Sequence, residues 1–134
     1  MKTAALILSL SLAGGALVAQ GGGTVRPLFS QDLNGVSGRE LSMLTVDYAP
    51  GGSTPEHTHH AQALVYVLEG SIVMQVKGGP LVTLTPGQTW YEGPDDVHIV
   101  SRNASETAPA KYLVLMVKDK GAPILSPVKT RSQP

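Results

Sequence analysis

The chain has 134 residues, ten basic against ten acidic side chains, and no cysteine. This length makes one small domain, and the balanced charge argues against a polyanionic partner such as nucleic acid. Without cysteine there is no disulfide, thiolate metal site or cysteine nucleophile.

Residues 1–20 carry Lys2, then an apolar run, then small residues, the pattern of a secretory signal peptide. The apolar run is short for a membrane span of about 20 residues, and no charged stop-transfer flank follows it. The expectation is an exported protein, periplasmic or secreted, with no membrane span left after cleavage. Cleavage after Ala19 is the first expectation and Ala16 the second.

Residues 21–38 read as an N-terminal arm packed across the main domain. Apolar residues Val25, Leu28, Phe29 and Leu33 predict an edge or irregular strand, because Pro27 cannot donate to a ladder. Asn34-Gly35 and Gly38 mark turns.

From residue 39 to about 120 the pattern is short strands and turns. Glu40 to Tyr48 alternates in part, with Leu44, Val46 and Tyr48 on one face. Leu64 to Leu68 and Ser71 to Lys77 are joined by Glu69-Gly70, a hairpin signal. Tyr66 and Met74 are expected in the core. Leu81 to Thr85 follows a turn at Gly78-Gly79, and Thr85-Pro86-Gly87 has type II character. Thr89 to Glu92, Val97 to Arg102 and Lys111 to Lys118 complete the set. The last is apolar on both faces from Leu113 to Val117, as in a covered or shared strand. Residues 121–134 form a polar, Pro-containing tail in which Ile124, Leu125 and Val128 can dock on the domain or on a second subunit. Many short strands divided by Gly and Pro predict an all-β sandwich or barrel.

The histidines carry the chemistry. Three of the four lie at His57, His59 and His60, and the fourth is His98. On an extended strand His57 and His59 point to one face, so two imidazole nitrogens can meet one metal ion, and imidazole needs little deprotonation to bind. His60 faces away by the same alternation, as does Glu56. The same parity puts Ala63, Val65 and Val67 on the His57 face, and Val100 and Arg102 on the His98 face.

The order of residues around these histidines resembles the cupin superfamily. Gly51, His57-x-His59 and Gly70 resemble its first motif, G-x5-H-x-H-x3,4-E-x6-G. Gly87-Gln-Thr-Trp-Tyr-Glu-Gly-Pro94-Asp-Asp-Val-His98 resembles the second, G-x5-P-x-G-x2-H-x3-N. The departures are specific. Ala63 stands where the family places a glutamate, Pro94 is one place late, Asp96 replaces a glycine, and Arg102 holds the asparagine position with Asn103 next to it.

The resemblance implies a double-stranded β-helix, the RmlC-like jelly-roll barrel, and one divalent transition metal ion on His57, His59 and His98. Gln62, beside Ala63, is the candidate fourth ligand if the strand carries a bulge there. Four neutral ligands would leave a divalent ion its full charge, a strong Lewis acid attractive to anionic ligands but weak for Mn²⁺. Iron, zinc, copper and nickel all suit imidazole.

The functional expectation is a metal-dependent enzyme acting on a small organic compound, with dioxygenase-type chemistry first. The alternatives are a non-catalytic module that binds a metal or small ligand, and a barrel with no metal. Arg102 is the candidate for a substrate carboxylate, against pairing with Glu92, Asp95 or Asp96. Trp90 and Tyr91 are candidates for a substrate wall, against core packing. Asp95 and Asp96 can orient an imidazole or simply make a turn. A homodimer fits the family habit.

Overall fold

The computed structural model describes residues 17–19 and 21–128. Apart from Leu17–Ala19, the signal-peptide pattern lies outside the described residues, as does the chain after residue 128.

Alternation is clearest where the sequence places Ala61, Ala63, Val65 and Val67 on one side of a strand and Gln62, Leu64, Tyr66 and Leu68 on the other. The first set is buried and the second is exposed, as the period of two demands when one sheet face meets a core. Tyr66 therefore sits on the outer surface, 43% exposed, and not in the core where its aromatic ring suggested it; Met74 is fully buried.

In chain order the strands are β1 (Leu17–Ala19), β2 (Gly23–Asp32), β3 (Arg39–Tyr48), β4 (His57–Thr58), β5 (Ala61–Glu69) and β6 (Ile72–Val76). They continue with β7 (Val82–Leu84), β8 (Thr89–Glu92), β9 (His98–Asn103), β10 (Ala110–Asp119) and β11 (Ser126–Pro127). They form two antiparallel sheets. One has the order β1-β2-β3-β10-β5-β8 and the other β11-β4-β9-β6-β7. This is the all-β double-stranded β-helix expected from the motifs.

Side chains meet in rows across the larger sheet. Leu44, Val114, Val65 and Trp90 are successive cross-strand neighbours on β3, β10, β5 and β8. The next row toward the barrel mouth is Ser42, Met116, Ala63 and Glu92. Ile72 and Met74 of β6 close the core from the facing sheet. Each buried Val, Leu or Met contributes about 1.5–3 kcal/mol.

Turn chemistry holds the strands in register. The Gln88 amide donates to the Thr85 carbonyl at 3.0 Å with Gly87 at φ +87°, the type II turn that Pro86-Gly87 announces. Gly70 at the β5–β6 corner has φ +69°, and any Cβ there would lie 2.5 Å from the Pro109 carbonyl oxygen. Only glycine fits that approach.

The N-terminal arm becomes β2, ten residues long and paired along β3, with an irregularity between Pro27 and Phe29 where the proline interrupts the ladder. At the other end the tail returns as β11, pairing Pro127 with His57 and Ser126 with Thr58. Ile124 packs against the core.

Candidate metal centre

His57 opens β4, where it lies directly opposite His98 of β9. The chain then leaves the smaller sheet for the larger one. His60, the non-glycine residue at positive φ (+49°) among those described, marks this corner. It is exposed, and its ring reaches the Thr58 hydroxyl at 3.2 Å. His59, just before the corner, is turned inward. Ring centroids lie 4.7 Å apart for His57 and His59, 4.8 Å for His57 and His98, and 6.5 Å for His59 and His98. One nitrogen from each of the three rings falls within 4.8 Å of the others.

Backbone carbonyls fix two of these rings. His57 Nδ1 donates to the Pro55 carbonyl at 2.7 Å and His59 Nδ1 to that of Ile124 at 2.6 Å. A carbonyl only accepts, so each Nδ1 carries the hydrogen and each neutral ring presents its Nε2 lone pair inward. This is the outer support that metal-binding histidines require.

The two Nε2 atoms stand 3.2 Å apart. Two lone pairs at that distance repel unless a cation or a proton lies between them. His57 resists the proton: burial, followed by the neighbouring His59 and His98, pushes its pKa down to about 4, the Pro55 bond and Glu92 opposing only in part.

Glu92 completes the cluster. Its side chain is 1% exposed, with Oε1 at 3.1 Å from His59 Nε2 and Oε2 at 3.0 Å from His98 Nδ1. These approaches are close, yet Glu92 Oε1 and both nitrogens of His98 lack an aligned hydrogen-bond partner. Burial works to raise the Glu92 pKa, but the facing His98, His59 and His57 outweigh it and hold the carboxyl below its usual range. Inward lone pairs, an ionised carboxylate and unpartnered buried nitrogens together fit a divalent cation. Trp90 packs against His98 in a tilted arrangement, centroids 4.9 Å apart.

The rings open onto a cavity of ≈ 30 Å³, room for about two water molecules. Apart from the histidines, Glu92, Thr54 and Tyr112 its lining is apolar, and Ile124 and Leu125 of the C-terminal segment form part of it.

The fold resolves the sequence expectations for the other site candidates. Gln62 is exposed on the outer face of β5, which runs against β10 without a bulge from Ala61 to Val67, so it does not reach the histidines. Arg102 is exposed and touches only the carbonyl of its neighbour Asn103, at 3.4 Å. The reason is a bulge: Gln75 pairs with Val100 but Val76 with His98, leaving Ile99 as the extra residue. One extra residue reverses the faces, so Ser101 and Asn103 turn inward and Arg102 outward. The same bulge absorbs the one-residue delay of the asparagine in the second motif. Asn103, not residue 102, is buried and ties the Ala49 and Ala108 carbonyls together at 3.1 and 2.7 Å.

Tyr91, 56% exposed, also points outward, while Trp90 packs on the core and on His98 and does not line the cavity. Asp96 accepts from the Gly93 amide at 2.7 Å and so builds the turn, and Asp95 is exposed; the groups that orient imidazoles are instead the Pro55 and Ile124 carbonyls, on His57 and His59. Glu92 escaped notice as part of the site. Its signal was its parity with Trp90 on a four-residue strand.

The Cupin domain family pattern matches residues 44–116, more than half of the chain. The chain belongs to the cupin family. Among curated proteins this cupin is similar to the rhicadhesin receptor of Pisum sativum, 34% identical over 83 residues, covering 58% of this chain and 38% of that protein. The matched segments span only 19% to 38% of the curated relatives' lengths. Among solved structures it is similar to the polyketide cyclase RemF from Streptomyces resistomycificus, with TM-score 0.64, 21% identity and coverage of 90% and 83% of the two chains. It is also similar to the DMSP lyase DddQ from Ruegeria pomeroyi DSS-3, with TM-score 0.60, 22% identity and coverage of 69% and 45%. At these identities the structural likenesses establish the fold alone.

Proposed function

We propose that this cupin is exported and holds one divalent transition metal ion on His57, His59 and His98, where it carries out dioxygenase-type chemistry on a small organic compound. The observation that carries the metal reading is the opposition of two inward Nε2 lone pairs at 3.2 Å, each fixed by a carbonyl behind it. When bound, the ion would supply Lewis acidity and open positions for dioxygen or substrate.

The chain's own residues set the rest. The Pro55 and Ile124 carbonyls keep the His57 and His59 rings in the binding tautomer. The small, largely apolar cavity favours small ligands at the rings, and Ile124 and Leu125 form part of its lining. Tyr112, in the same lining, stays protonated because burial, followed by the charge of Tyr48, raises its pKa well above the ordinary value. It can therefore donate a hydrogen bond to a ligand but not act as a base.

The reading is tested by elemental analysis of the purified protein beside His57→Ala, His59→Ala and His98→Ala variants. One ion per wild-type chain and loss in each variant is expected; equal metal content in all four sinks it. Oxygen consumption by iron- or copper-loaded protein with enols and catechols tests the dioxygenase assignment, and a flat trace with the whole panel removes it.

A second reading, a non-catalytic binding module, is favoured by one observation: the tail is tied down beside the cavity, with His59 bonded to Ile124, β11 paired to β4, and Ile124 and Leu125 in the cavity lining. Metal retained without turnover would select it. Export is supported by Lys2 and the apolar run that follows. A mature N-terminus still at Met1 would remove it.

A further inference from the structure

We propose that Glu92 is the fourth metal ligand, its carboxylate delivered from β8 to the point that β5 would serve at Ala63. This rests on the three-histidine reading above and adds a ligand to it.

The register supplies the first argument. Ala63 and Glu92 are direct cross-strand partners in the antiparallel β5–β8 pair, and both are buried on the barrel side. Opposed residues have Cβ atoms about 5 Å apart, close enough for a glutamate on either strand to bring its carboxylate into the space between them. A carboxylate borne by either strand can thus reach the same place. Ala63 has no atoms beyond Cβ to compete for it. The glutamate missing from the first motif is present, moved one strand across.

The second argument is distance. Two ligand atoms at right angles, each about 2.1 Å from an ion, are separated by about 3.0 Å. His57 Nε2 to His59 Nε2 is 3.2 Å, and His59 Nε2 to Glu92 Oε1 is 3.1 Å. Both separations are those of neighbouring corners of one coordination shell, with His59 Nε2 the shared corner.

The third is the state of the oxygen itself. Glu92 Oε1 is buried and unpartnered, an arrangement that costs free energy unless a cation faces it. Oε2 faces His98 Nδ1 at 3.0 Å, so one carboxylate can bind with one oxygen and orient the third imidazole with the other. The chemical consequence reverses the all-neutral ligand set: a divalent ion keeps one net charge instead of two. A hard oxygen donor also opens the site to Mn²⁺ and Fe²⁺.

The test compares wild type, Glu92→Gln, Glu92→Ala and the double variant Ala63→Glu/Glu92→Ala, each loaded with Co²⁺ or Cu²⁺. Circular dichroism verifies the fold in each. Chelator competition reads affinity, and visible absorption of Co²⁺ and EPR of Cu²⁺ read the ligand set. Both single variants should bind more than about 10-fold more weakly with altered spectra, and the double variant should regain most of the loss. Wild-type affinity and an unchanged spectrum in Glu92→Gln would overturn the proposal while leaving the histidine site standing. A folded double variant that recovers nothing overturns the equivalence of the two positions. Wild type binding neither ion overturns the histidine site as well, which makes the two failures distinguishable.

Discussion

Two buried polar clusters lie in this barrel, and they are finished differently. Around Tyr48, hydroxyl groups bond one another: Tyr48 to Thr54 at 2.6 Å, to Ser101 at 2.7 Å and to Tyr112 at 3.2 Å. Among the described residues, four buried side-chain atoms lack a partner, and three of them belong to the other cluster, on Glu92 and His98. Satisfied polar groups add rigidity, whereas unsatisfied ones cost stability and persist where something else completes them. The hydroxyl cluster is therefore read as structure, and the imidazole–carboxylate cluster as a site.

The sharpest way to break this contrast is to remove a member of each. His57→Ala should lower divalent-metal affinity more than about 100-fold, beyond the loss typical of outer partners alone. It should also abolish the rise in thermal midpoint that excess metal gives, which for a site at 100 times its dissociation constant is worth about 2.7 kcal/mol. Tyr48→Phe should do the reverse. By stranding the Thr54 and Ser101 hydroxyls it should cost about 1–3 kcal/mol in urea unfolding and leave metal affinity within about twofold. If Tyr48→Phe released the ion as well, the two clusters would be one network and the division would be wrong.

Acid sharpens the same contrast. The His57 pKa is depressed from 6.5 to about 4 in the fold, so between those values the unfolded chain binds the extra proton and stability falls as pH falls. Full protonation of that ring costs about 3 kcal/mol. Glu92 adds in the same direction below its ordinary 4.5, because its folded pKa is also lowered. Metal-free protein should thus lose stability from about pH 6.5 downward. His57→Phe should flatten the upper part of the curve. Tyr48→Phe should shift the whole curve without changing its shape, since burial keeps the Tyr112 proton in place throughout this range.

What the sequence revealed follows the same division. The strands and the inward parity of Ala63, Val65 and Val67 were legible because period two is a local property. His57 and His59 were legible for the same reason, and His98 through its spacing from Gly87. Glu92 was not, because its role depends on which residue it opposes across β5–β8, a non-local fact. Gln62 looked attractive only while a bulge could be imagined beside it. The irregularity of β5 instead lies at Leu68, past the inward run Ala61 to Val67, and the bulge that changes which residues face the site lies in β9, at Ile99. No local signal separates one such placement from the other.

That bulge yields the smallest expected effect and a direct check on the parity argument. With Ile99 extra, Arg102 is outside, bonded only to its neighbour's carbonyl, while Asn103 holds two carbonyls from inside and accepts the Ser105 amide at 2.9 Å. Arg102→Ala should change stability by less than about 0.5 kcal/mol and leave metal affinity untouched. Asn103→Ala, one position on, should cost about 1–3 kcal/mol by stranding the Ala49 and Ala108 carbonyls. Unfolding midpoints of the pair decide it. If the larger loss came from Arg102, β9 would have to run without the bulge, and the inward direction assigned to Ser101 would be lost with it.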